Sequence, residues 1–290
     1  MREHLSPEIN MTFRFANVAG RAALVDAAEQ WYDLERLTNG AMSSDPMVAV
    51  ANGAGLHDAS ETLAEATPDG ALSDADLGSP VPVPRNAFGI GLNYQNHAAE
   101  SNMEVPEKPL VFTKFTSCIV GPNAEVELRT KTGDYEAELV VVIGEGGRDI
   151  SEEDAWDHVL GLTAGQDVSD RALQFAAKPP HFDLGKSRDT YGPMGPVLVS
   201  TDSFADPKDL VITCDINGDR RQDDRTSNLI FTVAQLISYL SGIITLVPGD
   251  VIFTGTPEGV GGATRTYLNP GDEIVTTIEG IGTMRNVCIA

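Results

Sequence analysis

Three carboxylates stand where they could hold one metal ion. Glu136 and Glu138 form an E-x-E pair in "GDYEAELVVVIG". Side chains alternate along a strand, so both would project from one face with their Cα atoms roughly 6.5 to 7 Å apart. An isolated pair of this kind most often lies at a solvent-exposed strand end. Asp167, in "GLTAGQDVSDR", changes that interpretation, because it follows a second apolar segment where a lone acid would be costly to bury.

The absence of His or Cys near these three residues favours a hard cation. Oxygen-only ligand sets suit Mg²⁺ or Mn²⁺ ahead of Ca²⁺. Lys186, in "FDLGKSRDTYGPMGP", lies in a loop bounded by Gly and Pro. From there it could neutralise an anionic metal site or hold a substrate carboxylate, although a lysine taken alone is more often on the surface.

His97 and Glu100 form a second candidate pair, three residues apart in "GLNYQNHAAE". A helical turn would place them on one face, close enough to share a proton. The ordinary interpretation is a polar surface turn, and the functional one is a general acid/base pair. Because the segment after Gly91 has little to bury, it suits a mobile lid whose pair is assembled only when substrate is present. In an empty structure, His97 could then be turned away.

The elements that must position these residues are mostly strands. Short runs rich in Val, Ile and Thr are bounded by Gly, Pro and Asp, which predicts strands in "PLVFTKF", "AELVVVIG", "PVLVS", "DLVITCDING", "DVIFTGT" and "DEIVTTIEGIG". Two helices are also predicted. One would start at Ser151 as N-cap and stop at Gly161, and the other would carry an apolar stripe along "TSNLIFTVAQLISYLSG".

The first 80 residues differ in composition from the rest. They are rich in Ala, Gly, Asp and Ser, and they end in "SPVPVPRN", whose prolines favour an extended connection. We therefore predict a small N-terminal domain over residues 1–80 and a larger one over residues 81–290.

Charge and composition exclude several classes of function. The formal net charge of −23 argues against nucleic acid, since phosphate backbones require basic patches. Such acidity suits either a high-salt habitat or simple solubility. Three separated cysteines indicate neither a disulfide framework nor a metal knuckle. No run approaches the ~20 apolar residues of a membrane span, and the start lacks the apolar run of a signal peptide, so a cytoplasmic protein is expected.

Taken together, the ordered blocks resemble the fumarylacetoacetate hydrolase family. The similarity covers roughly residues 84–290 and rests on "GIGLNYQNHAAE", "DYEAELVVVIG", "GQDVSDRALQ", "LGKSRDTYGPMGP" and the long block from "NGDRRQDDRTSN" to "TGTPEGVG". The resemblance implies an α+β, mostly β fold. Its catalytic part would be a mixed β-sandwich roll, preceded by a small N-terminal α/β domain. It also implies a divalent metal, a homodimer, and a small-molecule 2-oxo acid as the substrate.

The resemblance also assigns roles to individual residues. Metal ligands are implied at Glu136, Glu138 and Asp167, catalytic groups at His97, Glu100 and Lys186, and substrate contacts at Gln174 and Thr256. We expect Arg171, which also matches a family position, to make a structural salt bridge. One departure is Asn96, where family members often have Asp.

The implied activity is hydrolysis of a C–C bond in an acylpyruvate-type 2,4-dioxo acid. The metal would stabilise the enolate, and His97 with Glu100 would activate water. The same site suits decarboxylation of oxaloacetate-like acids, tautomerisation, or isomerisation and hydration of unsaturated 2-oxo diacids. A non-catalytic metal-binding scaffold is the remote alternative, because binding alone would not require a general base.

Overall fold

Two β-sheets form most of the protein, which the computed structural model describes over residues 12–101 and 103–290. The strands are β1 (Arg14–Val18), β2 (Arg21–Val25), β3 (Gln30–Asp33), β4 (Gly70–Ala71), β5 (Leu77–Gly78), β6 (Ala87–Gly91), β7 (Leu110–Thr113), β8 (Ile119–Val120), β9 (Val126–Glu127), β10 (Gly133–Asp134), β11 (Ala137–Ile143), β12 (Val159–Gln166), β13 (Ser169–Asp170), β14 (Gly192–Val199), β15 (Val211–Ile216), β16 (Asp219–Arg225), β17 (Val251–Phe253), β18 (Glu273–Ile278) and β19 (Gly282–Ile289).

The helices are short. They are α1 (Leu34–Leu37), α2 (Pro46–Val50), α3 (Gly53–Ser60), α4 (Gln95–Glu100), α5 (Arg171–Gln174), α6 (Val233–Ser241) and α7 (Gly261–Thr264), with 3₁₀ turns at Leu63–Glu65, Leu72–Asp74, Thr116–Cys118, Ala155–His158, Asp183–Lys186, Thr201–Ser203 and Thr226–Asn228. Within the described ranges, none of them is long and apolar enough to cross a bilayer.

The larger sheet has the order β4-β3-β2-β1-β14-β12-β11-β17-β6-β7, and the smaller one the order β16-β15-β18-β19-β9. They pack face to face, with β11, β12 and β14 of the first against β15, β18 and β19 of the second. Every residue of β11 and β12 is buried, so these two strands form the centre of the core. The fold is therefore α+β and mostly β, as predicted.

The N-terminal strands extend the larger sheet and do not form a sheet of their own. β1 pairs antiparallel with β14, placing Arg14 opposite Val199 and Phe15 opposite Leu198. β2, β3 and β4 continue the sheet from β1 outward. The domain boundary at residue 80 stays a prediction, because the larger sheet contains strands from both sides of it.

The six predicted strand runs are confirmed, and one of the two helices is confirmed with a later start. α6 begins after Thr232, whose side chain and that of Gln235 form a capping box, and it buries Val233, Leu236, Ile237 and Leu240. The helix predicted from Ser151 to Gly161 is wrong. Only a 3₁₀ turn forms there, and β12 begins at Val159, because the strand buries the apolar run "VLGLTAG" between two neighbouring strands.

Candidate active site

The pairing of β11 with β12 brings the three predicted metal ligands together. Glu138 lies in β11 opposite Gly165, Glu136 immediately precedes that strand, and Asp167 immediately follows β12. The Asp167 amide donates to the Glu136 carbonyl at 2.9 Å, which holds the two chain ends side by side. One carboxylate oxygen from each residue lies within 4.8 Å of the others, and all three side chains are buried.

Two lysines and an arginine surround these carboxylates. Lys186 Nζ lies 2.5 Å from Glu136 Oε2 and 2.8 Å from Asp167 Oδ2. Lys114 Nζ lies 2.6 Å from Asp167 Oδ1, and Arg171 Nη2 lies 2.6 Å from Glu136 Oε1. The buried carboxylates of Glu136 and Asp167 are thus each paired with two cationic groups, which is how buried charges are tolerated, whereas Glu138 has no ion pair with them.

The donor set of this site fits a divalent cation. Only carboxylate oxygens face one another, which is the chemistry of Mg²⁺ and Mn²⁺ sites. Burial, together with the negative charges of Asp167 and Glu136, raises the pKa of Glu138 well above its usual range. For Glu136, burial alone would raise the pKa, but Lys186 and Arg171 outweigh it and lower that pKa. A divalent cation beside Glu138 would oppose this rise in pKa, because positive charge favours the carboxylate form.

The His97–Glu100 pair is formed on α4. His97 Nδ1 lies 2.7 Å from Glu100 Oε1, and the other oxygen of Glu100 accepts a hydrogen bond from the Gly259 amide at 3.0 Å. With Nδ1 directed at a carboxylate, Nδ1 is the ring nitrogen that carries the proton, and Nε2 is free to accept one. The pair therefore has the arrangement of a general base and its orienting group.

Residues 95–100 are helical and the pair is assembled in this structure, and the lid behaviour of the segment stays a prediction. Asn93, two residues before the helix, is buried and donates from its side-chain amide to the Phe231 and Thr254 carbonyls at 3.0 and 2.7 Å. Its side-chain oxygen accepts from the Phe231 amide at 2.7 Å. These contacts anchor the start of α4 to two other segments. Asn96 contacts Glu258 at 3.4 Å, not the histidine.

A loop over residues 254–262, here called the clamp loop, holds several acidic side chains by its backbone. The Gly255 amide donates to Glu138 Oε2 at 2.8 Å, and the Gly261 and Gly262 amides donate to the two oxygens of Asp134 at 2.7 Å each. Gly255 and Gly259 have φ values of +106° and +105°, which favour glycine. A Cβ at Gly259 would also lie 1.9 Å from a backbone oxygen, so glycine is required there.

Six of the eight predicted site residues line one cavity of about 560 Å³. Its polar wall comprises His97, Glu100, Ser101, Thr132, Glu136, Arg171, Gln174, Lys186, Thr256, Arg265 and Tyr267. Phe112, Phe175 and Phe182 lie on its apolar wall, in edge-to-face pairs whose ring centroids are 5.9 Å apart. Of the predicted site residues, only Glu138 and Asp167 do not line the cavity; they lie directly behind Glu136 and Lys186.

Both predicted substrate contacts are buried and already hydrogen bonded. Gln174 Oε1 accepts from Arg171 Nη1 at 3.0 Å. The Thr256 hydroxyl donates to the Ala137 carbonyl and accepts from Gln222 Nε2, both at 2.8 Å, which leaves it one acceptor lone pair. Contact with substrate remains a prediction for these two residues.

Arg171 makes the structural salt bridge expected of it, but it also belongs to the site. Its guanidinium joins Asp134 at 2.7 Å to Glu136 at 2.6 Å, and it lines the cavity. Asp134 was missed by sequence reasoning. The available signal was its spacing, since "DYEAE" places Asp134, Glu136 and Glu138 at alternate positions.

Lys114 was also missed. It is fully buried and gives its three ammonium hydrogens to Asp167, to the Tyr191 carbonyl at 3.1 Å and to the Lys186 carbonyl. The signal for it was a lysine next to last in the apolar run "PLVFTKF", but a solvated lysine is equally common at a strand end. Only the packing around β7 distinguishes a buried lysine from a solvated one.

The fold and the site define a mostly β protein with a buried group of three carboxylates that could hold a metal ion. The profile described as fumarylacetoacetate (FAA) hydrolase C-terminal matches residues 86–289. The chain belongs to the fumarylacetoacetate hydrolase family, and the resemblance read from the sequence is confirmed.

Three similar proteins illustrate the range of the family. The human mitochondrial oxaloacetate tautomerase FAHD2A is 42% identical over 218 residues, which cover 74% of this chain and 69% of that protein. A structure from Mycobacterium smegmatis, provisionally described as HpcE, is 43% identical with a TM-score of 0.91, over 95% of this chain and 99% of the other. Maleylpyruvate hydrolase from Sphingobium sp. SYK-6, solved with manganese(II) and pyruvate, is 28% identical with a TM-score of 0.80, over 95% and 98%.

Proposed function

We propose that this protein is a divalent-metal-dependent enzyme that moves a proton at the carbon beside the keto group of a 2-oxo diacid. Tautomerisation of oxaloacetate-type acids is the reaction we favour. The observation that carries this proposal is the assembled His97–Glu100 pair, which lines the same cavity as Glu136 and Lys186. Hydrolysis, expected first from the sequence, moves to second place because the 42% identical human relative is named a tautomerase.

Glu136, Glu138 and Asp167 would hold the metal. A bound divalent cation supplies Lewis-acid polarisation of the substrate's keto oxygen. His97 Nε2 takes a proton from C3 of the substrate, and the electron pair of that C–H bond becomes the C2–C3 double bond. Glu100 holds the imidazole and stabilises the positive charge that it gains. The proton is then returned to the keto oxygen, so the enol and keto forms have the same atoms.

Lys186 and Gln174 serve the oxygen on which negative charge develops. Lys186 Nζ is buried and lies between Glu136 and Asp167, so its charge is fixed beside the metal ligands. Preorganised donors aimed at a developing oxyanion stabilise it without reorganisation during the reaction. The three phenylalanines of the apolar wall would lower the local dielectric around the substrate, which would strengthen these interactions.

C–C hydrolysis of a 2,4-dioxo acid is the second candidate. It is favoured by the similar hydrolase that was solved with manganese(II) and pyruvate, and by a cavity of about 560 Å³, which has room for a larger acid than oxaloacetate. In this reaction His97 would take its proton from water, which then attacks the distal carbonyl group. The same residues would act, but the proton that His97 takes would come from a water molecule and not from C3 of the substrate.

A substrate panel with Mg²⁺ or Mn²⁺ tests both candidates. We expect faster loss of the ultraviolet-absorbing enol of oxaloacetate than in buffer with metal alone. Acylpyruvates and unsaturated 2-oxo diacids would be followed in parallel, with pyruvate release as the sign of either hydrolysis or decarboxylation. If no acid of the panel is converted faster than in the enzyme-free control, the enzyme assignment is wrong.

Replacing His97 by glutamine is expected to lower tautomerisation by about 100-fold or more, because glutamine cannot act as a general base. Metal binding should be unchanged, since His97 is not among the three carboxylates. Any decarboxylation should fall less than hydrolysis, because it requires no activated water. His181→Gln is the matched control, because this exposed histidine does not line the cavity. Equal activity of the two variants would exclude His97 as the base.

A further inference from the structure

Arg265 is a cationic side chain of the cavity wall that has no ion pair with any described residue. The other cations of the wall, Arg171 and Lys186, both pair with Glu136. Among the described residues, no carboxylate lies within ion-pair distance of Arg265. Arg265 is an exposed residue that lines the cavity, so its guanidinium is available to an anion.

The backbone places Arg265 at the cavity in an unusual conformation. It caps the C-terminus of α7 with φ +58° and ψ +32°, the left-handed region that non-glycine residues rarely adopt. Its amide donates to the Gly261 carbonyl, and the first residues of α7 are fixed by Asp134 through the Gly261 and Gly262 amides. Asp134 in turn pairs with Arg171, so Arg265 is carried by a turn that is tied to the site.

The two ends of a diacid substrate require different partners. The 2-oxo acid end belongs beside Glu136 and Lys186, where the metal ligands are. A second carboxylate needs a donor that is not already used by the protein. Phe112, Phe175 and Phe182 offer none, and a guanidinium matches a carboxylate with two parallel hydrogen bonds.

We propose that Arg265 determines specificity by binding the carboxylate remote from the 2-oxo acid group. This inference rests on the proposed function, because it concerns the other end of the same substrate. It makes the protein selective for 2-oxo diacids over monoacids of equal length. An arginine that is merely solvated at the cavity mouth would give no such selectivity.

The test uses two ligands of equal chain length that differ in the terminal carboxylate, 2-oxoglutarate and 2-oxopentanoate. Their affinities for the Mn²⁺-loaded full-length protein are measured by calorimetry. We expect the wild type to bind 2-oxoglutarate about 10-fold to 100-fold more tightly, the range for a charge-assisted bidentate contact. Arg265→Gln should remove this preference and leave 2-oxopentanoate binding unchanged, and Arg265→Lys should restore part of it.

Two further variants separate the possible failures. Arg265→Gly should fold at least as well as the wild type, since glycine readily adopts the left-handed conformation, and it should lose the preference as Gln does. Arg148→Gln removes an exposed positive charge that does not line the cavity, and it should keep the preference. If Arg265→Gln retains the wild-type preference, or if the wild type has none, the role of Arg265 is disproved.

The proposed function is tested separately by exchange of the C3 protons of both ligands for deuterium, followed by NMR. Exchange no faster than in buffer with Mn²⁺ would contradict the proton-transfer function, whatever the affinities show. Exchange at C3 with an unchanged preference in Arg265→Gln would contradict the specificity role alone.

Discussion

Replacing Glu138 by glutamine is expected to abolish metal-dependent turnover, by more than about 100-fold, while the metal-free protein stays folded. Glutamine has nearly the same shape as glutamate, but it removes one of the three negative charges that would hold the cation. Its side-chain oxygen can still accept the hydrogen bond from Gly255, which spans 2.8 Å in the wild type. The loss should therefore appear in metal affinity and activity, and not in the fold.

Mn²⁺ binding, followed by electron paramagnetic resonance, measures the effect of Glu138→Gln directly. The matched control is Glu125→Gln, a change of the same type at an exposed position that does not line the cavity. Wild-type Mn²⁺ affinity in Glu138→Gln would show that the cation is held elsewhere. Such a result would overturn the assignment of the three carboxylates.

The difference in stability between Glu138→Gln and the wild type should also depend on pH in a defined direction. Burial and the charges of Asp167 and Glu136 raise the pKa of Glu138 above its value in the unfolded chain. Without metal, the folded state therefore binds this proton more tightly, and its contribution to stability is lost as pH rises from the unfolded pKa through the folded one. Glutamine does not titrate. Its advantage in the free energy of unfolding over the wild type should therefore grow with pH over that window.

Replacing Lys114 by methionine is expected to destabilise the protein by about 3 kcal/mol, because Asp167 would lose one of its two buried cationic partners and would share the other, Lys186, with Glu136. Burial alone would lower the pKa of Lys114, but Asp167 outweighs it and raises that pKa, so the lysine stays charged. The carbonyls of Lys186 and Tyr191 would lose a donor as well. Urea unfolding of the metal-free protein measures the change.

A double-mutant cycle tests the cause of that loss. The combination of Lys114→Met with Asp167→Asn should be less destabilised than the sum of the single variants, with a coupling energy of about 0.5–3 kcal/mol. Lys131→Met, at an exposed position, is the control for the loss of a lysine and should change stability little. If Lys114→Met is no more harmful than Lys131→Met, the buried pair does not hold this part of the core.

The strands and the carboxylate set could be predicted because their signals are local. Apolar runs bounded by Gly, Pro and Asp identified the strands, and alternation placed Glu136 and Glu138 on one side. Lys114 could not be found in this way, because its role depends on Asp167, which is 53 positions away. Long-range pairing of this kind leaves no local pattern in a single sequence.

The failed helix prediction has a related cause. A capping serine followed by acidic residues is a good helix start, and the Ser151 hydroxyl does accept a hydrogen bond from the Asp154 amide at 3.1 Å. Further along, strand pairing on both sides of β12 outweighs the local preference. The N-terminal strands illustrate the same limit, because neither their composition nor the proline-rich connection reveals that β1 pairs with β14.

The clamp loop has a geometric consequence. Its backbone amides hold Glu100, the partner of the base, and also Glu138, one of the metal ligands. Because amides of one loop contact both carboxylates, a shift of the loop would move Glu100 and Glu138 together. The distance between the His97–Glu100 pair and a cation held at Glu138 would then depend on one backbone segment, and not on independent rotamer choices.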